Sequence, residues 1–185
     1  AQLDHLGLYE NTIVTFASDH GFHLGEHKLW AKTSCFEWDA AVPMIIASPK
    51  LAKPGASTHA LAELLDLYPT IVDLAGLPKP RHLEGKSLLP VLKNPAGTVK
   101  GAAYTQHPRP AYYKGAPEAM GYSMRTADLR YTEWRNWKTG RIIARELYDH
   151  QKDPGENHNT ATAQAGVVRQ LSDRLSTQFP ITKHP

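Results

Sequence analysis

The pattern of apolar and polar positions in the first hundred residues predicts an α/β arrangement. Thr12–Ser18 is a nearly continuous apolar and β-branched run, which is typical of a strand covered on both faces. Val42–Ala47 shows the same pattern, with its proline near the start. Ala60–Leu74 has leucines at helical spacing, so we expect a helix, a break at Pro69 and a second helix ending at Gly76.

The pattern changes after residue 100. Short aromatic or β-branched segments separated by turn residues predict a small antiparallel sheet. Thr160–Phe179 predicts a closing amphipathic helix, because its apolar residues fall on one stripe. We therefore expect two domains: an α/β domain over residues 1–100, and a small antiparallel β subdomain with a closing helix over residues 101–185.

Composition and charge narrow the class of protein. The chain has 185 residues, of which 41% are hydrophobic and 21% charged, as in ordinary globular proteins. A net charge of +3 without a basic run argues against a nucleic-acid partner. The longest apolar run, Ala40–Ala47, is too short to cross a bilayer, so no membrane partner is expected. The opening AQLDHLGLYENT resembles the end of an amphipathic helix, which suggests a C-terminal piece of a longer protein.

A candidate site follows the first predicted strand, in the stretch TIVTFASDHGFHLGEHKLWAK from Thr12 to Lys32. Ligands of open α/β sheets bind beyond the carboxyl ends of strands, which is where Asp19 and His20 lie. Together they offer an oxygen and a nitrogen to a divalent cation, while Gly21 permits close approach or a positive φ. The structural alternative is an N-capping aspartate beside an ordinary surface histidine.

The loop that follows carries several more potential ligands, together with a tryptophan. These residues are His23, Glu26, His27, Lys28, Trp30 and Lys32. Imidazole suits zinc, whereas carboxylate suits calcium or magnesium. Counting ligands leaves the choice of metal open.

The same stretch resembles the metal-binding segment of the type I sulfatases, most closely the group similar to iduronate-2-sulfatase. The likeness continues in the family's order through VPMIIASP, LLDLYPTIVDLAGLP, EGKSLLPVL, QHPRP, MGYSMRTADLRYTEW and ELYDHQKDPGENHN. It implies the C-terminal part of an alkaline-phosphatase-like three-layer sandwich, followed by the small antiparallel sheet subdomain. It also implies hydrolysis of sulfate esters, with a sulfated carbohydrate as substrate.

The resemblance assigns roles to three residues of the loop. Asp19 and His20 match two protein ligands of a calcium ion. Lys32 matches the catalytic lysine that holds a sulfate oxygen, where its ammonium would neutralise developing charge. His107 and Arg109, in TQHPRP, are candidate substrate-binding residues because cations beside aromatics suit a sulfated sugar. A proline-rich connection without a ligand role is the alternative for that tract.

The formylglycine nucleophile that such a sulfatase requires has no counterpart in this chain. Cys35 lies in TSCFEWDA, without the proline and arginine of the family motif, and it follows the metal segment instead of preceding it. We therefore expect Cys35 to be a small buried residue. A missing N-terminal portion would supply the formylglycine as partner, this chain alone would be inactive, and the resemblance implies export from the cell.

Two other functions stay open. One is a zinc-dependent phosphodiesterase or phosphonate hydrolase of the same superfamily, with His23 or His27 as a further zinc ligand. The other is a non-catalytic module that binds a sugar or a protein. The acids and histidines of ELYDHQKDPGENHNTA are interpreted as structural, because Asp153–Gly155 is a turn signal.

Overall fold

The chain forms two compact units. The structure is a computed structural model and describes residues 2–51 and 54–183. Unit 1 comprises Ala1–Asp19 and Val42–Ala103, and unit 2 comprises His20–Ala41 and Tyr104–Pro185. The predicted domain division between residues 100 and 101 stays a prediction. Within the described ranges, no helix combines the length and the apolar character needed to cross a membrane.

Unit 1 contains the two strands that the sequence predicted. Strand β1, Val14–Ala17, pairs in antiparallel register with β4, Met44–Ala47. The expectation that both faces would be covered is wrong for the described residues. Phe16 is 58% exposed and Ile45 59% exposed, and Val14 is exposed as well. This two-stranded sheet therefore presents an apolar surface that the described part of the chain does not cover.

The helices of unit 1 are α1 (Gln2–His5), α3 (Leu67–Ala75) and α4 (Leu89–Lys93), and a 3-10 helix covers Leu64–Asp66. The predicted break at Pro69 is wrong, because Pro69 lies in the first turn of α3, where its missing N–H costs no intrahelical bond.

The predicted end of α3 at Gly76 is confirmed. Gly76 has φ of +71°, and its N–H donates to the Asp73 carbonyl, while Leu77 N–H donates to the Val72 carbonyl. A left-handed residue at this position lets the chain turn back onto the last carbonyls of the helix.

The core of unit 1 combines apolar side chains with one buried carboxylate. Val72, Leu74, Leu88 and Val91 are buried. Asp66 is fully buried and accepts the backbone N–H of Lys86 at 2.8 Å, while the Lys100 ammonium pairs with it at 2.6 Å. Burial of the charge is thereby compensated by an ion pair and backbone donors.

Unit 2 is built on the antiparallel sheet that the sequence predicted. Its strand order is β5–β6–β7–β8, and the strands cover Ala103–Arg109, Ala119–Arg125, Leu129–Asn136 and Ile142–Asp149. The closing helix α5 covers Ala165–Gln178. Met124, Tyr131, Leu147 and Leu175 are fully buried, so the core lies between the sheet and α5.

Residues 20–41 also belong to unit 2 and contain little regular structure. Strands β2 (His23–Leu24) and β3 (Trp30–Ala31) form a two-residue antiparallel pair, and α2 covers Glu37–Ala40. Few backbone groups of this segment are paired in strands or helices. Side-chain hydrogen bonds must therefore hold much of its backbone conformation.

Candidate active site

Asp19 and His20 lie directly after β1, as predicted. Asp19 is exposed and His20 is half-buried. The His20 Nδ1 atom lies 2.7 Å from the carbonyl oxygen of Gly21. A carbonyl only accepts, so Nδ1 donates in this contact, and Nε2 is the ring nitrogen that would coordinate a metal ion. A carboxylate and such an imidazole fit two positions around a divalent cation, although calcium takes six to eight ligands, mainly oxygens.

Gly21 allows the backbone to pass close to α2. A Cβ at this position would meet the Trp38 carbonyl oxygen at 1.9 Å. The Gly21 N–H donates to the Asp39 carbonyl at 2.8 Å. Of the two reasons for a glycine here, the structure confirms close approach; Gly21 is not among the glycines with positive φ.

Lys32 lies between β3 and α2 on an unusual stretch of backbone. Its side chain is exposed, and its ammonium has no hydrogen-bond or ion-pair partner within residues 2–51 and 54–183. The residues on both sides have positive φ, +68° at Ala31 and +133° at Thr33. Such conformations cost about 1–3 kcal/mol each and persist only where the surroundings enforce them. Other contacts must therefore hold the backbone that carries Lys32.

Asp39 supplies several of these contacts. Its Oδ2 accepts the backbone N–H of Thr33 at 3.0 Å, the backbone N–H of Ser34 at 2.7 Å and the Ser34 hydroxyl at 2.6 Å. Burial alone raises the pKa of Asp39, but hydrogen bonds from Ser34, His23 and Thr33 outweigh it and hold the pKa below its usual value. Asp39 is therefore a buried, ionised anchor for the two residues after Lys32.

Two histidines extend this anchor across unit 2. His23 Nδ1 lies 2.8 Å from Asp39 Oδ1, and His23 Nε2 lies 3.2 Å from His27 Nδ1. His27 Nε2 donates to the carbonyls of Gly155 and Glu156 at 2.9 and 3.1 Å. With Asp39 ionised, both ends of the array are acceptors, so His23 donates from Nδ1 and His27 donates from Nε2. The array therefore connects Asp39 to the backbone of residues 155 and 156.

His107 and Arg109 converge on the same backbone from strand β5. The Arg109 guanidinium donates to the Thr33 carbonyl at 2.5 Å and lies 4.8 Å from the centroid of the Trp134 ring. Burial and the Arg109 charge lower the pKa of His107, against smaller opposing effects of Asp39 and of a hydrogen bond with the Thr33 backbone. The structure thus brings both residues to the backbone of Thr33, the residue after Lys32. Their substrate contact stays a prediction.

A second buried carboxylate in unit 2 was missed by sequence reasoning. Glu156 accepts Arg130 Nε at 2.5 Å, His150 Nε2 at 2.7 Å and the backbone N–H of Glu37 at 2.8 Å. Arg130 also pairs with the Glu37 carboxylate. Possible metal-ligating atoms of Glu37, His150 and Glu156 lie within 4.8 Å of one another. Because the Arg130 guanidinium already bridges the two carboxylates, the group is an ion-pair network.

Cys35 is buried, as the sequence predicted, with 4% of its surface exposed. Burial raises the pKa of its thiol to about 12. The thiol therefore stays protonated at neutral pH, the form in which cysteine is a poor nucleophile.

The chain is similar to known proteins over most of its length. A family profile described as N-sulphoglucosamine sulphohydrolase, C-terminal, matches residues 25–180. The matched range includes Lys32, Asp39 and Arg109, whereas Asp19 and His20 precede it. Iduronate 2-sulfatase of Mus musculus is 33% identical over 85% of this chain and 39% of that protein.

Two solved structures share the fold. The structure of BT4656 in complex with its substrate D-glucosamine-2-N,6-O-disulfate has a TM-score of 0.76 at 30% identity and covers 98% of this chain and 38% of that one. The phosphonate monoester hydrolase SpPMH from Silicibacter pomeroyi has a TM-score of 0.81 at 28% identity, covering 99% and 38%. The chain therefore spans less than half the length of these relatives.

Proposed function

Because this chain belongs to the family of N-sulphoglucosamine sulphohydrolase C-terminal domains, we propose that it is the C-terminal portion of a sulfatase that hydrolyses sulfate esters of a carbohydrate. The observation that carries this proposal is the geometry around Lys32. An exposed lysine stands on strained backbone that buried polar groups enforce, which is the arrangement expected of a residue held for a ligand.

Lys32 would bind an oxygen of the sulfate group through its ammonium. As the ester bond breaks, negative charge grows on the sulfuryl oxygens and on the leaving oxygen, and a positioned cation stabilises that charge. Asp19 and His20 would hold the calcium ion, with His20 acting through Nε2. When bound, calcium supplies positive charge that favours binding of the sulfate. The formylglycine nucleophile would belong to an N-terminal portion outside these 185 residues.

The exposed apolar surface of unit 1 supports a partner of this kind. Phe16 and Ile45 expose more than half of their surface on the β1–β4 sheet. Contiguous exposed apolar side chains mark interaction surfaces. The N-terminal portion of the same enzyme is the proposed occupant, since the chain spans 39% of the length of its mouse relative. Export from the cell remains part of the proposal.

The proposed substrate is a sulfated sugar. Support comes from the relative BT4656, whose structure contains D-glucosamine-2-N,6-O-disulfate as substrate. Arg109 lines a cleft of about 560 Å³ in unit 2 together with Trp134 and Glu146, so the predicted substrate contact of Arg109 has a place to occur. His107 lies two residues before Arg109 on the same strand, β5. Both residues stay candidates for substrate binding.

A phosphonate hydrolase is the second candidate, supported by the similarity to SpPMH. The hydrogen bonds of His23 and His27 argue against the predicted use of either residue as a zinc ligand. Both ring nitrogens of His23 face Asp39 and His27, and both of His27 face His23 and two carbonyls. Zinc bound by this chain would therefore rely on Asp19 and His20. A non-catalytic binding module is the third candidate.

The test uses the full-length protein that carries this sequence, purified with its native metal. Release of inorganic sulfate from D-glucosamine-2-N,6-O-disulfate and from 4-nitrophenyl sulfate is measured, and calcium and zinc are quantified in the same sample. We expect sulfate release with calcium bound. Lys32→Ala should lower kcat/KM by about 10²–10³-fold, as loss of a group that stabilises the transition state does. Lys138→Ala, which removes an exposed lysine of unit 2, is the matched control.

Three results would contradict the proposal. Faster hydrolysis of a phosphonate monoester with zinc bound would favour the second candidate. Binding of the sulfated sugar without any hydrolysis would favour the binding module. Equal activity of Lys32→Ala and Lys138→Ala would remove Lys32 from the site.

A further inference from the structure

The residue after Lys32 is held from two sides within unit 2. Asp39 Oδ2 accepts the N–H of Thr33 at 3.0 Å, and Arg109 donates to the carbonyl of Thr33 at 2.5 Å. Thr33 has φ of +133°, and a β-branched residue does not adopt this conformation without support. Both contacts are charge-assisted hydrogen bonds to the backbone, so they resist relaxation of the strained peptide.

Asp39 is itself fixed, which makes it a suitable anchor. His23 is fully buried and holds Oδ1, and through His27 the contact continues to the carbonyls of Gly155 and Glu156. The carbonyl oxygen of Asp39 also accepts the N–H of Gly21. Asp39 is thus bonded to residues adjacent in sequence to His20 on one side and to Lys32 on the other.

Arg109 has little freedom to serve another ligand at the same time. Its guanidinium is engaged with the Thr33 carbonyl and lies over the Trp134 ring. The Trp134 indole N–H is in turn fixed by Glu146 at 2.8 Å. A planar guanidinium that both stacks and donates keeps a defined orientation, which a lysine at this position would not reproduce.

We infer that Asp39 and Arg109 are positioning residues for Lys32: they clamp the Thr33 peptide and so aim the Lys32 ammonium at an anionic group of the substrate. The inference rests on the proposed function, in which Lys32 binds a sulfate oxygen. Asp39 does not touch the substrate in this role, and for Arg109 the positioning role is the alternative to the direct substrate contact predicted from the sequence. A displacement of about 1 Å of a catalytic group can cost about 10²-fold in rate.

A double-mutant cycle in the full-length protein tests the inference. The kcat/KM for 4-nitrophenyl sulfate and for D-glucosamine-2-N,6-O-disulfate is measured for Asp39→Asn, Lys32→Ala and the double variant. We expect Asp39→Asn to lower kcat/KM by about 10²-fold. In the Lys32→Ala background the same change should cost less than about threefold, because a residue that acts through Lys32 has nothing left to position.

Arg109→Lys and Arg109→Ala are tested in the same cycle. A positioning role predicts the same proportional loss with both substrates and no further loss once Lys32 is absent. If Arg109 contacts the sugar directly, its loss lowers kcat/KM for D-glucosamine-2-N,6-O-disulfate more than for the aryl ester, and the loss persists in Lys32→Ala. That result overturns the positioning role of Arg109. The control variant is Arg141→Ala, which removes an exposed arginine of unit 2.

The failures of the two proposals are distinguishable. If Lys32→Ala retains full activity, the proposed function fails first. If Lys32→Ala lowers kcat/KM and Asp39→Asn lowers it by the same factor in the Lys32→Ala background as in the parent, only the positioning role is overturned. Hydrogen exchange of the Thr33 and Ser34 amides supplies a readout independent of activity. Asp39→Asn should accelerate their exchange at least tenfold, and Asp128→Asn, at an exposed aspartate, should not. Unchanged exchange in folded Asp39→Asn overturns the inference.

Discussion

Two buried carboxylates of unit 2, those of Asp39 and Glu156, are alike in chemistry and different in what they hold. The Asp39 cluster consists of Asp39, His23, His27, Thr33 and Ser34, and the Glu156 cluster consists of Glu156, Arg130, Glu37 and His150. Each carboxylate accepts at least one backbone N–H and contacts a histidine. Only the Glu156 cluster contains an arginine that pairs with the carboxylate.

The difference lies in the distance along the chain between the residues that each carboxylate contacts directly. The Glu156 carboxylate is hydrogen-bonded to residues 37, 130 and 150, so it connects the segment of residues 20–41 to the four-stranded sheet. The Asp39 carboxylate joins residues 23, 33, 34 and 39, and it shapes the loop that carries Lys32. We conclude that the Glu156 cluster mainly stabilises unit 2, whereas the Asp39 cluster mainly positions Lys32.

The largest expected effect on stability comes from Glu156→Gln. This change removes one charge from a buried ion-pair network and leaves Arg130 with Glu37 as its remaining carboxylate partner. Breaking such a network from one side costs about 3–5 kcal/mol of the free energy of unfolding. Urea unfolding followed by far-UV circular dichroism measures it. Asp173→Asn, at an exposed position of α5, is the control and should differ from the parent by less than about 0.5 kcal/mol.

A loss below about 1 kcal/mol for Glu156→Gln would show that the buried network contributes little. The two clusters would then not differ in the way proposed.

A smaller effect is expected from Gly21→Ala, which adds a methyl group where the Gly21 backbone approaches Trp38 and Asp39. The added methyl group would meet the Trp38 carbonyl at 1.9 Å, so the loop or α2 must shift. Overpacking of this kind costs about 1–3 kcal/mol. Gly166→Ala is the matched control: its Cβ would find open space within α5, and alanine should stabilise the helix by about 0.5–1 kcal/mol. Equal unfolding free energies of the two variants would contradict the close approach at Gly21.

The smallest expected effect is a pH dependence that belongs to the Asp39 cluster. The pKa of Asp39 in the folded chain lies below the ordinary value of 3.8. A carboxyl group with a depressed folded-state pKa contributes stability above its unfolded-state pKa and loses it as the pH falls through the folded-state value. The difference in unfolding free energy between the parent and Asp39→Asn should therefore shrink below pH 3.8. A difference that grew on acidification would contradict an ionised, hydrogen-bonded Asp39.

Local patterns in the sequence predicted the strands and helices that are determined by residues near one another in the chain. Periodicity predicted β1, β4, the antiparallel sheet and α5, and Gly76 predicted the end of α3. The break at Pro69 was wrong because the prediction placed the start of the helix too early; a proline in the first turn is harmless.

The site was predicted less completely, because its supports are distant in sequence. The resemblance pointed to Lys32, and Gly21 was correctly expected to allow close approach. No spacing rule reveals that Glu37 would meet Glu156, 119 residues away. The histidines of the loop suggested metal ligands, yet His23 and His27 extend the Asp39 anchor. A polar residue in a loop can bind a ligand itself or can hold a ligand-binding residue in place. Only its contacts in the folded structure distinguish these two roles.

The central claim is tested most directly by comparing Asp39→Asn with Glu156→Gln in the full-length protein, at a temperature at which circular dichroism shows both to be folded. The kcat/KM for 4-nitrophenyl sulfate is measured for each. We predict a loss of about 10²-fold for Asp39→Asn and less than about threefold for Glu156→Gln. Equal losses, or the larger loss for Glu156→Gln, would contradict the account.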